Sequence, residues 1–136
     1  MDKEYKILEH PSDVRVQAFG KTKEELFLNA MKGMNEVLKP KILDKKSENR
    51  KIKVKSVDLN ALLVDFLSEV LYRIQTNKEV YNEVRFTKFS DTELEGELIG
   101  NKVESFGEDI KAVTYHGLKI IQGKKGLYKA TVLFDV

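Results

Sequence analysis

Residues 58–74 read DLNALLVDFLSEVLYRI, and this stretch decides the fold. Leu59, Leu62, Leu63, Phe66, Leu67, Val70, Leu71 and Ile74 recur three and four positions apart, which gathers them on one side of an α-helix. Asp58 stands at the N-cap, where its carboxylate can accept from first-turn amides. A stripe that wide needs a sheet or a second helix to cover it, so this helix belongs to the core. Asp65 and Glu69 lie one turn apart beside the stripe, with Arg73 placed to pair with Glu69. Two such carboxylates suit acid–base chemistry; they equally suit the wet side of an ordinary core helix.

Working upstream, Arg50–Val57 alternates Ile52 and Val54 with lysines, the pattern of a strand with one wet face. It closes a basic region, Lys39 to Lys55, with two readings. One is a solvated loop plus a lysine-guarded edge strand; the other is a docking surface for RNA or an acidic partner. Before it, Leu26, Phe27, Ala30, Met31, Met34, Val37 and Leu38 mark a first helix that Pro40 stops. Thr22 and Glu25 form its capping box, and Met31 and Met34 read as core filler. Tyr5–Leu8 and Val14–Phe19 read as strands, split by His10-Pro11-Ser12-Asp13.

Downstream, Glu79–Phe89 and Glu93–Ile99 form a hairpin around Ser90-Asp91-Thr92. Asn101–Asp109 reads as a polar loop long enough for a functional flap. Val113–Ile121 has strand composition yet carries Thr114, Tyr115 and His116 where aliphatics would be cheaper, so a polar network or a site surrounds it. A turn at residues 123–126 leads into a last strand, Leu127–Val136. The order predicts an α+β fold, a largely antiparallel or mixed sheet with both amphipathic helices packed on it. A length of 136 residues fits one domain, 1–136.

Composition narrows the function. Charged residues make up 34% of the chain and hydrophobic ones 41%, the balance of a soluble protein, with no apolar run long enough to span a membrane. A cytoplasmic location is the default expectation. Cysteine is absent, which removes disulfides, thiol nucleophiles and cysteine-ligated zinc. A net charge of +2 argues against a general nucleic-acid binder. No HExxH, Walker A, GxSxG or GxGxxG motif occurs, and nothing in sequence activates Ser12 for hydrolysis. Asp135 is penultimate, so its carboxylate and the α-carboxylate of Val136 crowd one strand end, an arrangement suited to a hard cation such as Ca²⁺ or Mg²⁺ or to a frayed, solvated tail. Asp13 after His10-Pro11-Ser12 is most simply a turn former.

Four segments resemble archease, the small protein family associated with tRNA splicing. They are His10-Pro11-Ser12-Asp13-Val14, the helix start Gly20–Phe27 with Ala30, Gly33 and Met34, the late Lys111–His116, and Leu133-Phe134-Asp135-Val136. The Pro11-Ser12 pair departs from the Thr-Ala often found there in the family. The resemblance implies a non-catalytic activator of an RtcB-type tRNA ligase, promoting ligase guanylylation and turnover and widening nucleotide use. An alternative it implies is a chaperone-like partner of a tRNA cytosine-5 methyltransferase, or an RNA-binding module contacting tRNA. Carried over, Asp13, Asp135 and Val136 become ligands of a divalent ion of the Ca²⁺ or Mg²⁺/Mn²⁺ type. His116, Tyr115, Lys111 and His10 become residues that orient those ligands. Open sheet edges fit a monomer or a weak homo-oligomer.

Overall fold

Each helix begins where a side-chain oxygen takes over an amide the helix cannot satisfy. Thr22 Oγ1 accepts from the Glu25 amide at 3.0 Å, and Asp58 Oδ1 accepts from the Ala61 amide at 2.8 Å. Such a cap stabilises by about 1 kcal/mol. Glu25 closes its box one residue early, accepting from the Lys21 amide at 3.2 Å. Both helices end on a lysine in the left-handed region, Lys39 and Lys78, with φ of 48° and 52°.

The structure, a computed structural model, describes residues 3–9 and 13–136. Along them run β1 (Tyr5–Glu9), β2 (Asp13–Gly20), α1 (Lys23–Leu38), β3 (Pro40–Lys55), α2 (Leu59–Asn77), β4 (Glu79–Phe89), β5 (Glu93–Phe106), β6 (Ala112–Thr114), β7 (Ile121–Gln122) and β8 (Tyr128–Asp135). The α+β class holds, with every described strand pair antiparallel. The strands form two sheets where one was expected: β1-β2-β8-β6, with β7 also on β8, and β3-β5-β4. Strand lengths explain the division. β5 is filled by β3 on one side and β4 on the other, and β8 by β2 on one side and by β6 and β7 on the other, so neither centre has a free edge for the other sheet.

The helices bind the two sheets together. α1 packs on β1, β2 and β8 of the first sheet and on β4 of the second; α2 packs on β3 and β4 and reaches β6. Val14, Val16, Ala18, Ala130, Val132 and Phe134 line the inner face of the first sheet. Leu62, Phe66, Val70 and Ile74 of the deciding stretch are wholly buried, as are Met31 and Met34. Phe27, Phe66, Phe86 and Phe89 form a ring cluster with centroids 5.0–6.0 Å apart, a favourable aromatic separation. Gly33 lets α1 approach the sheet: a Cβ there would collide with Val16 Cγ1.

Three expectations are corrected. The segment expected as a loop before Arg50 belongs to β3, which bulges between Ile42 and Ser47 and is otherwise paired along its length. Ser47, Glu48 and Asn49 are poor strand formers, but they stand opposite Asn101, Gly100 and Ile99 of β5, and that cross-strand pairing overrides propensity; Lys51, Lys53 and Lys55, in the part expected as strand, face Glu97, Glu95 and Glu93. The expected flap Asn101–Asp109 is mostly strand, because Val103 is buried and its neighbours pair with both β3 and β4. What remains, around Gly107, is tied back by its amide to the Leu38 and Lys39 carbonyls at 3.0 and 2.9 Å. Val113–Ile121 is not one strand: β6 stops at Thr114, and a turn with Gly117 at φ +67° separates it from β7. The in-and-out alternation of a strand therefore does not run through Tyr115 and His116.

Candidate functional site

The alternation of β2 sorts its side chains cleanly. Val14, Val16 and Ala18 go to the core, which leaves Asp13, Arg15 and Gln17 on the outer face. β8 does the same with Asp135, Leu133 and Thr131. The register then sets Asp13 against Asp135, Arg15 against Leu133 and Gln17 against Thr131. Directly opposed residues in an antiparallel pair have Cβ atoms about 4.5–5.5 Å apart. Two carboxylates far apart in sequence thus meet on one rung.

Asp13 is partly buried, and its Oδ1 is fully enclosed with no hydrogen-bond partner among the described residues. An enclosed carboxylate oxygen without a donor is costly, about 1–3 kcal/mol or more. Ala112 of β6 faces Asp135 from the other side, and the Lys111 amide donates to the Asp135 carbonyl at 2.7 Å. Lys111 therefore adjoins the pair through its backbone, while its side chain is exposed. Val136 is half-buried and packs against the core, which holds its main-chain oxygens at the same strand end.

An orphaned oxygen, a facing carboxylate and a main-chain oxygen are a hard, oxygen-only donor set, and they fit a divalent cation of the Ca²⁺ or Mg²⁺ type. The set is small: among the described residues no group of three or more His, Cys, Asp or Glu side chains comes together. His10, with Pro11 and Ser12, lies outside the described residues.

The remaining expected residues go elsewhere. The Tyr115 hydroxyl donates to Asp65 Oδ1, and Ser56 Oγ donates to Asp65 Oδ2. The Asp65 carboxylate, followed by burial, raises the Tyr115 pKa above its ordinary value of 10.0. Tyr115 thus fastens the turn after β6 to α2. Glu69 pairs with Arg73 at 3.1 Å, so Asp65 and Glu69 serve different partners. His116 is exposed in that turn, its amide donating to Thr114 Oγ1 at 3.3 Å, and it lines a cleft with Arg15.

A second polar cluster lies at the far end of α2. Glu79 is fully buried and accepts from Arg50 Nε and Nη2 at 2.9 and 2.7 Å and from the Tyr81 hydroxyl at 2.7 Å. The Arg50 guanidinium holds the Glu79 carboxyl below its ordinary range, and burial pushes the Tyr81 phenol up to about 12. The Glu79 charge is answered within the cluster, with Lys102 Nζ also at 3.6 Å.

A family model described as the Archease protein family (MTH1598/TM1083) matches residues 5–136. The chain belongs to that family. A protein archease of Methanosarcina barkeri is 38% identical, over 98% of this chain and 97% of its own length. One from Thermoplasma acidophilum is 31% identical over 97% and 93%. Among solved structures, the solution structure of Methanobacterium thermoautotrophicum protein 1598 superposes with a TM-score of 0.73 at 25% identity, covering 98% of this chain and 99% of that one. A crystal structure from Thermotoga maritima, described as an archease and possible chaperone, gives 0.72 at 20% identity with full coverage of both, a likeness of fold.

In this archease-family chain, two of the four resembling segments meet in space, since Asp13 and Asp135 share a rung. The late segment lies beside them on β6 and the following turn. Among the described residues no helix is long and apolar enough to cross a membrane. Sequence reasoning left Arg15 unused. Its signal was the polar alternation Asp13, Arg15, Gln17, which set all three on one strand face.

Proposed function

We propose that this protein is a non-catalytic activator of an RtcB-type tRNA ligase, acting in the cytoplasm through a divalent ion held at the strand end of Asp13 and Asp135. Family membership supports the protein class. The observation that carries the site is the shared rung of Asp13 and Asp135 with the orphaned Asp13 Oδ1. Asp13 and Asp135 would supply the carboxylates, and Val136 a main-chain oxygen. When bound, the ion would offer Lewis-acid charge stabilisation to a phosphoryl group. The chain's own contribution is positional: the β2–β8 ladder fixes the two carboxylates, and the Lys111 amide, just before β6, clamps the Asp135 backbone.

The test is single-turnover guanylylation of an RtcB-type ligase with GTP and a divalent ion, with and without this protein. Wild type is expected to stimulate, and Asp13→Ala and Asp135→Ala are not. Equal stimulation by the variants would remove the site. No stimulation by wild type, with a cognate ligase, would shift the reading to a chaperone-like partner of a tRNA cytosine-5 methyltransferase.

A further inference from the structure

We propose that the outer face of the first sheet carries a second ligand site, in the cleft between Arg15 and His116, for a terminal phosphate monoester such as that of a nucleotide. The cleft has a volume of about 370 Å³ and is lined by Leu8, Arg15, Gln17, His116, Thr131 and Leu133. A volume of that order suits a small molecule. The strand register builds it. Leu8, Arg15 and Leu133 share one rung across β1, β2 and β8, and Gln17 and Thr131 share the next. His116 closes the end beyond β6.

The lining chemistry selects the ligand. A guanidinium, an imidazole, an amide and a hydroxyl all offer N–H or O–H donors, and among the described residues no carboxylate lines the cleft. Arg15 forms no ion pair with any described residue, although Asp13 lies two positions away on the same face and Asp135 one rung along. Arg15 lines the cleft, and a guanidinium's planar fork is shaped to take two phosphate oxygens at once. Lys6, opposite Gln17, and Lys129, opposite Phe19, share this outer face and offset the negative charge of Asp13 and Asp135, which leaves Arg15 as the cation at the cleft itself. A monoester, with its higher charge, gains more from that cation than a diester does. Leu8 and Leu133 provide apolar walls for the body that bears the phosphate.

The site is also held in place. The Tyr115–Asp65 hydrogen bond anchors the turn to α2, and Gly117 at φ +67° turns the chain beside His116. Among the described residues nothing lies within 4 Å of where a Gly117 side chain would start. The cleft adjoins the carboxylate pair but requires none of its atoms and no ion there.

The test is an NMR titration of the full chain, first in chelator, with AMP, adenosine and the dinucleotide ApA, which carries only a diester. AMP is expected to shift the amides of Arg15, Gln17, His116 and Thr131, and adenosine is not. Arg15→Gln is expected to weaken AMP binding roughly tenfold or more with the rest of the spectrum unchanged. ApA should bind more weakly than AMP by a similar factor, and Asp135→Asn should retain AMP binding. The proposal is overturned if adenosine or ApA matches AMP, or if Arg15→Gln binds like wild type. It is also overturned if AMP binds only after Mg²⁺ is added and not to Asp135→Asn, since the phosphate would then sit on the carboxylate pair. Ligase stimulation is a separate readout, so failure of the activator reading and failure of this one are distinguishable.

Discussion

Asp13 and Asp135 face each other on one rung of the β2–β8 ladder, with Asp13 Oδ1 enclosed and unpartnered among the described residues. Directly opposed like charges destabilise a sheet by roughly 0.2–1 kcal/mol. In chelator, Asp135→Asn is therefore expected to melt at or a few degrees above wild type. Adding Ca²⁺ should raise the wild-type Tm and leave Asp135→Asn unmoved, because only the intact pair gains from binding in the folded state. Thermal unfolding of both proteins, with and without the ion, checks this; an equal shift in the two would place the ion elsewhere.

Glu79 gives the acid limb of stability. Its folded pKa lies below the ordinary 4.5, chiefly through the Arg50 hydrogen bonds. A lowered carboxylate contributes stability that is complete above its unfolded value and is lost as pH falls through the folded one. Glu79→Gln should cost about 2 kcal/mol at pH 7, leaving buried donors short of an acceptor. Urea unfolding from pH 7 to pH 3 should show the two proteins converging below the ordinary carboxylate range. A constant gap across that range would mean that the charge of Glu79 is not what stabilises.

Tyr115 and Asp65 join the β6 turn to α2. Tyr115→Phe removes one hydrogen bond at a site 57% exposed, so the global loss should be at most about 1 kcal/mol. The local effect is larger: amide exchange at residues 115–118 should quicken while β8 stays protected. In Asp65→Asn, alkaline titration should show the Tyr115 pKa fall back toward 10.0.

The lysines of β3 meet a glutamate row on β5, and Glu97 and Glu95 also face Arg85 and Lys88 of β4. Positive charge in that region is therefore largely answered within the sheet. Wild type is expected to show no tight, steeply salt-dependent tRNA binding. The triple change Glu93→Gln, Glu95→Gln, Glu97→Gln should create such binding, read as the slope of affinity against salt. A steep slope in wild type would revive the RNA-docking reading.

What was legible in the sequence was local. Thr22 and Asp58 announce helix starts because a cap acts over three residues, and the Leu59–Ile74 stripe reports burial by spacing alone. Ser90-Asp91-Thr92 marks its hairpin for the same reason. The misreadings were all non-local. Ser47, Glu48 and Asn49 look like loop residues until Asn101, Gly100 and Ile99 are set opposite them. Val113–Ile121 has strand composition throughout, yet Gly117 and the pull of Asp65 on Tyr115 break it. Asp13 reads as a turn former because its partner Asp135 is supplied only by sheet register. Arg15 went unused because no spacing rule brings it to His116.

That register also sets an order of events. Asp13 and Asp135 are separated by most of the chain, and contacts of such separation form late and slowly, after the loop entropy between them has been met. Until β8 docks, β2 keeps one edge unpaired and the two carboxylates are strangers. The rung closes only once β8 has docked on β2, so any ion held there would act as a seal on that closure, and a partner that reads it would ignore chains in which β8 is still free.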